Sequence, residues 1–263
     1  MSDVLCDVQN GIATITLNRP NRLNAMGGEM LPEALKTIER VAADTGIKVV
    51  ILTGSGKGFC VGGDLSEGAG GGFGGGEPID TQIRQLREWM RSSQLLHEMP
   101  KITIAAINGA CAGAGFSWAC ACDLRIAAEG AKFSTAFMNA GLTGDFGGTW
   151  TLPRLVGPAK ARELYLLSEV FDSSEALRIG LVSHVTPKEE LMSSVMAVSE
   201  KLARRAPTAL QGIKANLNDS LRLSFSEALD REAERHQRAA QTKDAIEAAR
   251  AFIEKREPKF IGR

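Results

Sequence analysis

The segment KITIAAINGACAGAGFSWACACDLRIAAEGAKFS, residues 101–134, passes through several backbone states in quick succession. KITIAAI (101–107) is a continuous apolar run, which suits a strand buried on both faces. The glycines of NGACAGAG follow, and glycine lets a backbone take positive φ and approach a ligand closely. AGFSWACAC (114–122) reads as a helix, and DLRIAAEGAKFST (123–135) as two short strands around a turn. A helix that begins straight after glycine presents N–H groups with no intrahelical acceptor, and its dipole favours negative charge there. The segment can therefore present a backbone N–H to an anion.

Working outward, the same device recurs. IKVVILTGSG (47–56) is another buried strand, and GFCVGGDL (58–65) is the glycine stretch behind it. GIATITLNRP (11–20) alternates like a strand, and GGEMLPEALKTIERVAAD (27–44) has helical spacing. SEGAGGGFGGGEP (66–78) is a glycine-rich loop with one aromatic anchor, Phe73. DTQIRQLREWMRSSQLLHEM (80–99) is expected to form one amphipathic helix. PAKARELYLLS (158–168) and SSEALRIGL (173–181) read as helices, VSHVT (182–186) as a strand, and the chain beyond about 188 as helical. The expectation is an α/β fold.

Composition narrows the function. Lys+Arg and Asp+Glu are equal at 31 each, so no basic surplus points to nucleic acid or an anionic membrane. The five cysteines form no CxxC pair and read as reduced core residues of a cytoplasmic protein; no metal site is expected. No basic run followed by an apolar stretch opens the chain, so no signal peptide is expected, and no segment is apolar for about 18 residues. Gly109, Gly113 and Gly115 also fit the nucleotide turn of short-chain dehydrogenases. That chemistry needs Tyr-x-x-x-Lys, and the single tyrosine, Tyr165, is followed four residues later by Glu169.

LNRPNRLNAM (17–26), GFCVGGDL (58–65), the 101–134 segment, GLTGDFGGTWTLPRLVG (141–157) and EALRIGLVSHV (175–185) together resemble the crotonase superfamily, the enoyl-CoA hydratase/isomerase family. The resemblance covers about residues 3–262. It implies a crotonase-like spiral of ββα units with the acyl-CoA site in residues 1–200. It also implies a C-terminal helical trimerisation region, 201–263, in a homotrimer or dimer of trimers. The ligand would be an acyl-CoA thioester, with coenzyme A part of the substrate and no separate cofactor. The two oxyanion donors fall on the amides of Gly63 and Ala114, with Ala114 standing where glycine is commoner. Arg22, Leu23 and Ala25 would lie near the CoA phosphates, and Val61, Gly62, Asp64 and Leu65 along the adenine. Phe73 could close over the acyl chain. Phe252, Lys255 and Lys259 belong to a C-terminal helix that would reach a neighbouring subunit's CoA.

The hydratases' two glutamates fall on Ser117 and Phe137, neither of which is a base at neutral pH. Asp145, in GLTGDFGGTW (141–150), then matters. One reading makes it the N-cap of a helix starting near Gly147. The other makes it the single acid/base of a double-bond isomerase, since a 1,3-proton shift needs only one carboxylate. A hydratase or lyase with a non-standard acid/base, a hydrolase or dehalogenase pairing the Asp with a histidine, and a non-catalytic acyl-CoA-binding member are the other readings.

Overall fold

The computed structural model describes residues 2–67 and 76–262. Its first strands, β1 (Val4–Gln9) and β2 (Ile12–Leu17), form an antiparallel hairpin, and α1 (Met30–Ala43) packs on it. Met30, Ala34, Ile38 and Val41 make the buried stripe of α1 at helical spacing. Paired strands and helices then alternate: β3 (Val49–Gly54) and β4 (Gly58–Cys60), with α2 (Ile79–Trp89) and α3 (Arg91–Glu98); β5 (Ile102–Ile107) and β6 (Ala110–Ala112), with α4 (Gly113–Ala121); and β7 (Leu124–Ala128) and β8 (Lys132–Ser134), with α5 (Gly148–Val156) and α6 (Pro158–Leu167). Next come β9 (Phe171–Asp172), α7 (Ser173–Arg178) and β10 (His184–Thr186). The chain closes with α8 (Leu191–Ala203), α9 (Pro207–Ser220), α10 (Phe225–Ala240) and α11 (Lys243–Glu254).

The first strand of each pair joins a six-stranded sheet, β1-β2-β3-β5-β7-β10, and the second joins a four-stranded sheet, β4-β6-β8-β9. Each repeat thus advances both sheets by one strand, which is the expected spiral of ββα units. From β2 to β10 the large sheet is parallel, with Ile51 opposite Ile104 and Ala105 opposite Arg125. Its strands are covered on both faces. Val49, Ile51, Ile104 and Ala106 pack toward Leu191 and Val195 of α8, while Val50, Leu52, Ala105 and Ile107 face the larger core.

The helix expected over 80–99 is two helices. The Ser92 hydroxyl donates to the Trp89 carbonyl at 2.7 Å and accepts from the Trp118 indole N–H at 2.9 Å, while the Ser93 N–H turns to Met90. A side chain has taken the carbonyl that the next turn of a helix would use. The hairpin strand β1 and the short strands β4, β6 and β9 were not anticipated. Four of the five cysteines are buried, all five are free, and burial pushes the Cys60, Cys120 and Cys122 thiols up to about 12. Among the described residues no helix is long and apolar enough to cross a membrane, and no cluster of His, Cys, Asp and Glu is arranged to hold a metal.

α9 is fastened to the sheet by a partly buried ion pair. Lys214 Nζ lies 2.8 Å from Asp123 Oδ2 and donates to the Lys101 carbonyl at 2.8 Å. Further along, Phe225, Ile246, Phe252 and Ile253 leave apolar side chains exposed.

Candidate functional site

Parallel pairing of β4 with β6 brings the two glycine stretches side by side, with Cys60 opposite Cys111. Gly62 (φ +85°) and Gly113 (φ +53°) both sit in the left-handed region. The approach is close: a Cβ on Gly62 would stand 3.1 Å from the Ala114 nitrogen, and one on Gly115 would collide with the Cys60 carbonyl and side chain. Ala114 is the second residue of α4, so its N–H has no intrahelical acceptor. Its φ is not positive, so the methyl that replaces glycine's hydrogen brings no backbone strain. The Gly63 N–H is also left out of the local ladder. The bridge between Met26 and Gly63 is made by Met26 N–H on the Gly62 carbonyl and Asp64 N–H on the Met26 carbonyl. Two amides are thus held in adjacent segments by glycine contacts.

Asp145 follows in a turn where Gly144, Phe146 and Gly147 all have positive φ. Phe146 is a non-glycine at φ +48°, a conformation that persists only when the surroundings enforce it. Here its ring is fully buried and meets Trp118 edge-on at 5.7 Å. The N-cap of α5 is Gly147 and no side chain caps it; the Gly148 N–H bonds only the Asp145 carbonyl. The capping reading of Asp145 therefore fails. Its Oδ1 is buried without a hydrogen-bond partner, and burial raises its pKa to about 7. It lines a cavity of about 220 Å³ with Ile79, Ile83, Leu86, Phe137 and Leu142. Among the described residues no other acid and no histidine lines that cavity, so none there supplies the partner that a nucleophilic Asp would need. His97 lies elsewhere, edge-on to Trp150 at 5.3 Å.

The cavity also includes Phe137, stacked on Tyr165 with ring centroids 6.1 Å apart. Ser117 is buried on α4, its hydroxyl donating to the Gly113 carbonyl at 3.4 Å. Arg22, Leu23 and Ala25 lie on or just after a 3₁₀ turn, Pro20–Arg22. Buried Asn24 ties this turn to β4: its amide donates to the Ser55 and Gly58 carbonyls, and its Oδ1 accepts from the Arg19 N–H. The Met26 N–H then reaches the Gly62 carbonyl at 2.7 Å. The turn is thereby fixed beside Val61–Leu65, with Leu23 and Leu65 exposed. Asp64 caps the short 3₁₀ helix Leu65–Glu67 through the Ser66 N–H and hydroxyl. It also pairs with Arg19 at 3.2 Å, and these contacts hold its carboxyl below the usual range.

Phe73 lies outside the described residues. Phe252 and Lys255 are at the exposed end of α11, which packs on α10. The tail after it is pinned by Asp244, which accepts from the Ile261 and Gly262 N–H groups. Ile261 shares a cleft with Lys48 and Lys101, where β3 and β5 begin; Gly63 and Ala114 come after their far ends. Within one chain the tail is not joined to the two amides. Asn24, Cys60 and Tyr165 were not singled out as site residues from the sequence. The only signal for Tyr165 was that it is the sole tyrosine.

A family model described as enoyl-CoA hydratase/isomerase matches residues 7–263. The chain is 35% identical over 263 residues to a 1,2-epoxyphenylacetyl-CoA isomerase of Escherichia coli strain K12, covering all of both chains. It is 33% identical over 266 residues to a crotonyl-CoA hydratase of Syntrophomonas wolfei, covering 99% of this chain and 98% of the relative. A solved enoyl-CoA hydratase from Bacillus anthracis superposes with a TM-score of 0.92 at 30% identity, covering all of both chains. With the two-sheet spiral, the two amides in adjacent glycine segments and these likenesses together, the chain is an enzyme of the enoyl-CoA hydratase/isomerase family, a member of the crotonase superfamily.

Proposed function

We propose that this enzyme moves a double bond along the acyl chain of a coenzyme A thioester, with Asp145 as its single acid/base. The observation that carries this is the Asp145 carboxyl itself. Among the described residues it is the one acid on the cavity wall, it caps no helix, and burial brings its pKa to about 7, where it can both accept and return a proton. In a 3-enoyl-CoA, the carboxylate takes a proton from C2. The C–H electron pair moves into the dienolate, and the negative charge collects on the thioester oxygen. That oxygen sits between the Gly63 and Ala114 amides; one such donor is typically worth 10²–10³-fold in rate. The same carboxyl then returns the proton at C4, and the double bond ends between C2 and C3. Phe137 and the apolar wall keep water from the intermediate.

Hydration would need a second group to activate water, and the corresponding places hold Ser117 and Phe137. Relatives carry both kinds of name, so the substrate has to discriminate. Given a 3-enoyl-CoA and a 2-enoyl-CoA, the enzyme is expected to isomerise the first and to hydrate the second at least about 100-fold more slowly. Fast hydration with no isomerisation overturns the reading. The chain works without a separate cofactor, and Arg22, Leu23, Ala25 and Val61–Leu65 bind the coenzyme A. The exposed apolar side chains of α10 and α11 are covered in a trimer or a dimer of trimers. There Phe252, Lys255 and Lys259 serve a neighbouring subunit's site.

A further inference from the structure

Tyr165 is the only tyrosine in the chain, and its place is unusual for a helical surface residue. It projects from α6 with its ring stacked on Phe137, and its hydroxyl is buried. It spans the Asp145 turn from end to end. A Cβ on Gly144, just before Asp145, would stand 3.5 Å from the ring's Cε1. A Cβ on Gly148, three residues after Asp145, would collide with both the Tyr165 and the Ser117 hydroxyls. Two hydroxyls from two helices therefore converge over a position that only glycine leaves open. The phenol oxygen and Asp145 Oδ1 are both buried side-chain atoms without a hydrogen-bond partner. The two groups interact electrostatically but are bonded neither to each other nor to anything else, and each buried unpaired group calls for an explanation.

We propose that Tyr165 is a positioning residue for Asp145: its phenol O–H, steered by the Ser117 hydroxyl, donates to the Asp145 carboxylate in the orientation from which that carboxylate takes the substrate proton. This rests on the isomerase reading above. The phenol suits the task because it stays protonated. Burial first, then the Cys120 thiol on α4 and the Asp145 charge, raise its pKa, with Ser117 opposing. Cys60 on β4 and Tyr165 on α6 are the titratable groups that interact with the Asp145 charge, and α2 brings Ile79, Gln82, Ile83 and Leu86 to the cavity. The buried Cys60 thiol stays neutral. Among the described residues no cationic group lines that wall.

The test is the pH profile of Tyr165→Phe, which keeps the ring stack and deletes only the hydroxyl. A donor to the ionised carboxylate favours ionisation, so its loss moves the acid limb of kcat upward by about one pH unit, the size of one hydrogen bond to a charged group. kcat falls on the acid side of the shifted limb and recovers by pH 9, with KM within two-fold. Gly148→Ala, which displaces the hydroxyl while leaving it in place chemically, shifts the limb the same way. An unshifted limb in both variants overturns the proposal, since a merely structural tyrosine does not move it. Asp145→Asn separates the two claims. Full turnover there overturns the proton-shift reading and the role of Tyr165 with it. An inactive Asp145→Asn beside an unshifted Tyr165→Phe overturns the Tyr165 inference alone.

Discussion

The pair of amides at Gly63 and Ala114 and the carboxyl of Asp145 are built on opposite plans. The amides belong to the backbone, and neighbouring glycines hold them by leaving no room for anything larger. Asp145 is a side chain, held by a strained turn that a buried Phe146 anchors, with its own Oδ1 left unpartnered. At the first site side-chain identity is nearly free, provided the backbone can pass; Ala114 shows this. At the second the backbone is over-determined and side-chain identity is everything. The comparison separates substitutions that break geometry from those that break chemistry.

Ala114→Pro removes the N–H of the first site and places a ring carbon on that nitrogen beside Gly62. Proline is tolerated in the first turn of a helix, so α4 can still form. Loss of the donor should lower turnover 10²–10³-fold. Ala114→Gly, which keeps the N–H, should stay within a few-fold of the parent enzyme. If the two variants behave alike in a turnover assay, the amide is not a donor.

A smaller effect is expected on stability, at the second site. The folded pKa of Asp145 is raised by burial, so the neutral form is the one the fold accommodates. Its contribution is fully present below the unfolded carboxylate's pKa and is lost as pH rises through about 7. Asp145→Asn carries no charge and loses nothing across that window. The variant should melt close to the parent enzyme at pH 5 and higher at pH 8.5. There the gap should approach about 2 kcal/mol, or a few degrees for a chain of this size. Melting curves that stay parallel from pH 5 to 8.5 would mean that Asp145 is not buried in the way described.

Legibility in the sequence follows the same division. Strands β2, β3 and β5 and the stripe of α1 could be read because burial on a sheet or helix writes an apolar period into the chain. Strands β4 and β6 could not, because GFC and ACA lie inside glycine stretches whose local signal is a turn. The break in the 80–99 helix depends on Ser92 meeting Trp118, a contact between residues 26 positions apart. Asp145 was visible in both its readings, but the capping one could not be set aside, because nothing local reveals that Gly147 takes the cap. The backbone donors could be placed only through the family resemblance. Tyr165 was hidden because its meaning depends on Gly144 and Gly148, which lie on a different element.

The most direct test of the central claim is the rate at which Asp145→Asn converts a 3-enoyl-CoA to the 2-enoyl isomer. The carboxyl caps nothing and the proposed oxyanion donors are backbone groups, so the variant should fold and bind the acyl-CoA as the parent enzyme does. Turnover should nevertheless fall by at least the 10²–10⁴-fold that general acid–base catalysis supplies. Isomerisation within a few-fold of the parent rate would contradict the assignment of Asp145 as the group that carries the proton.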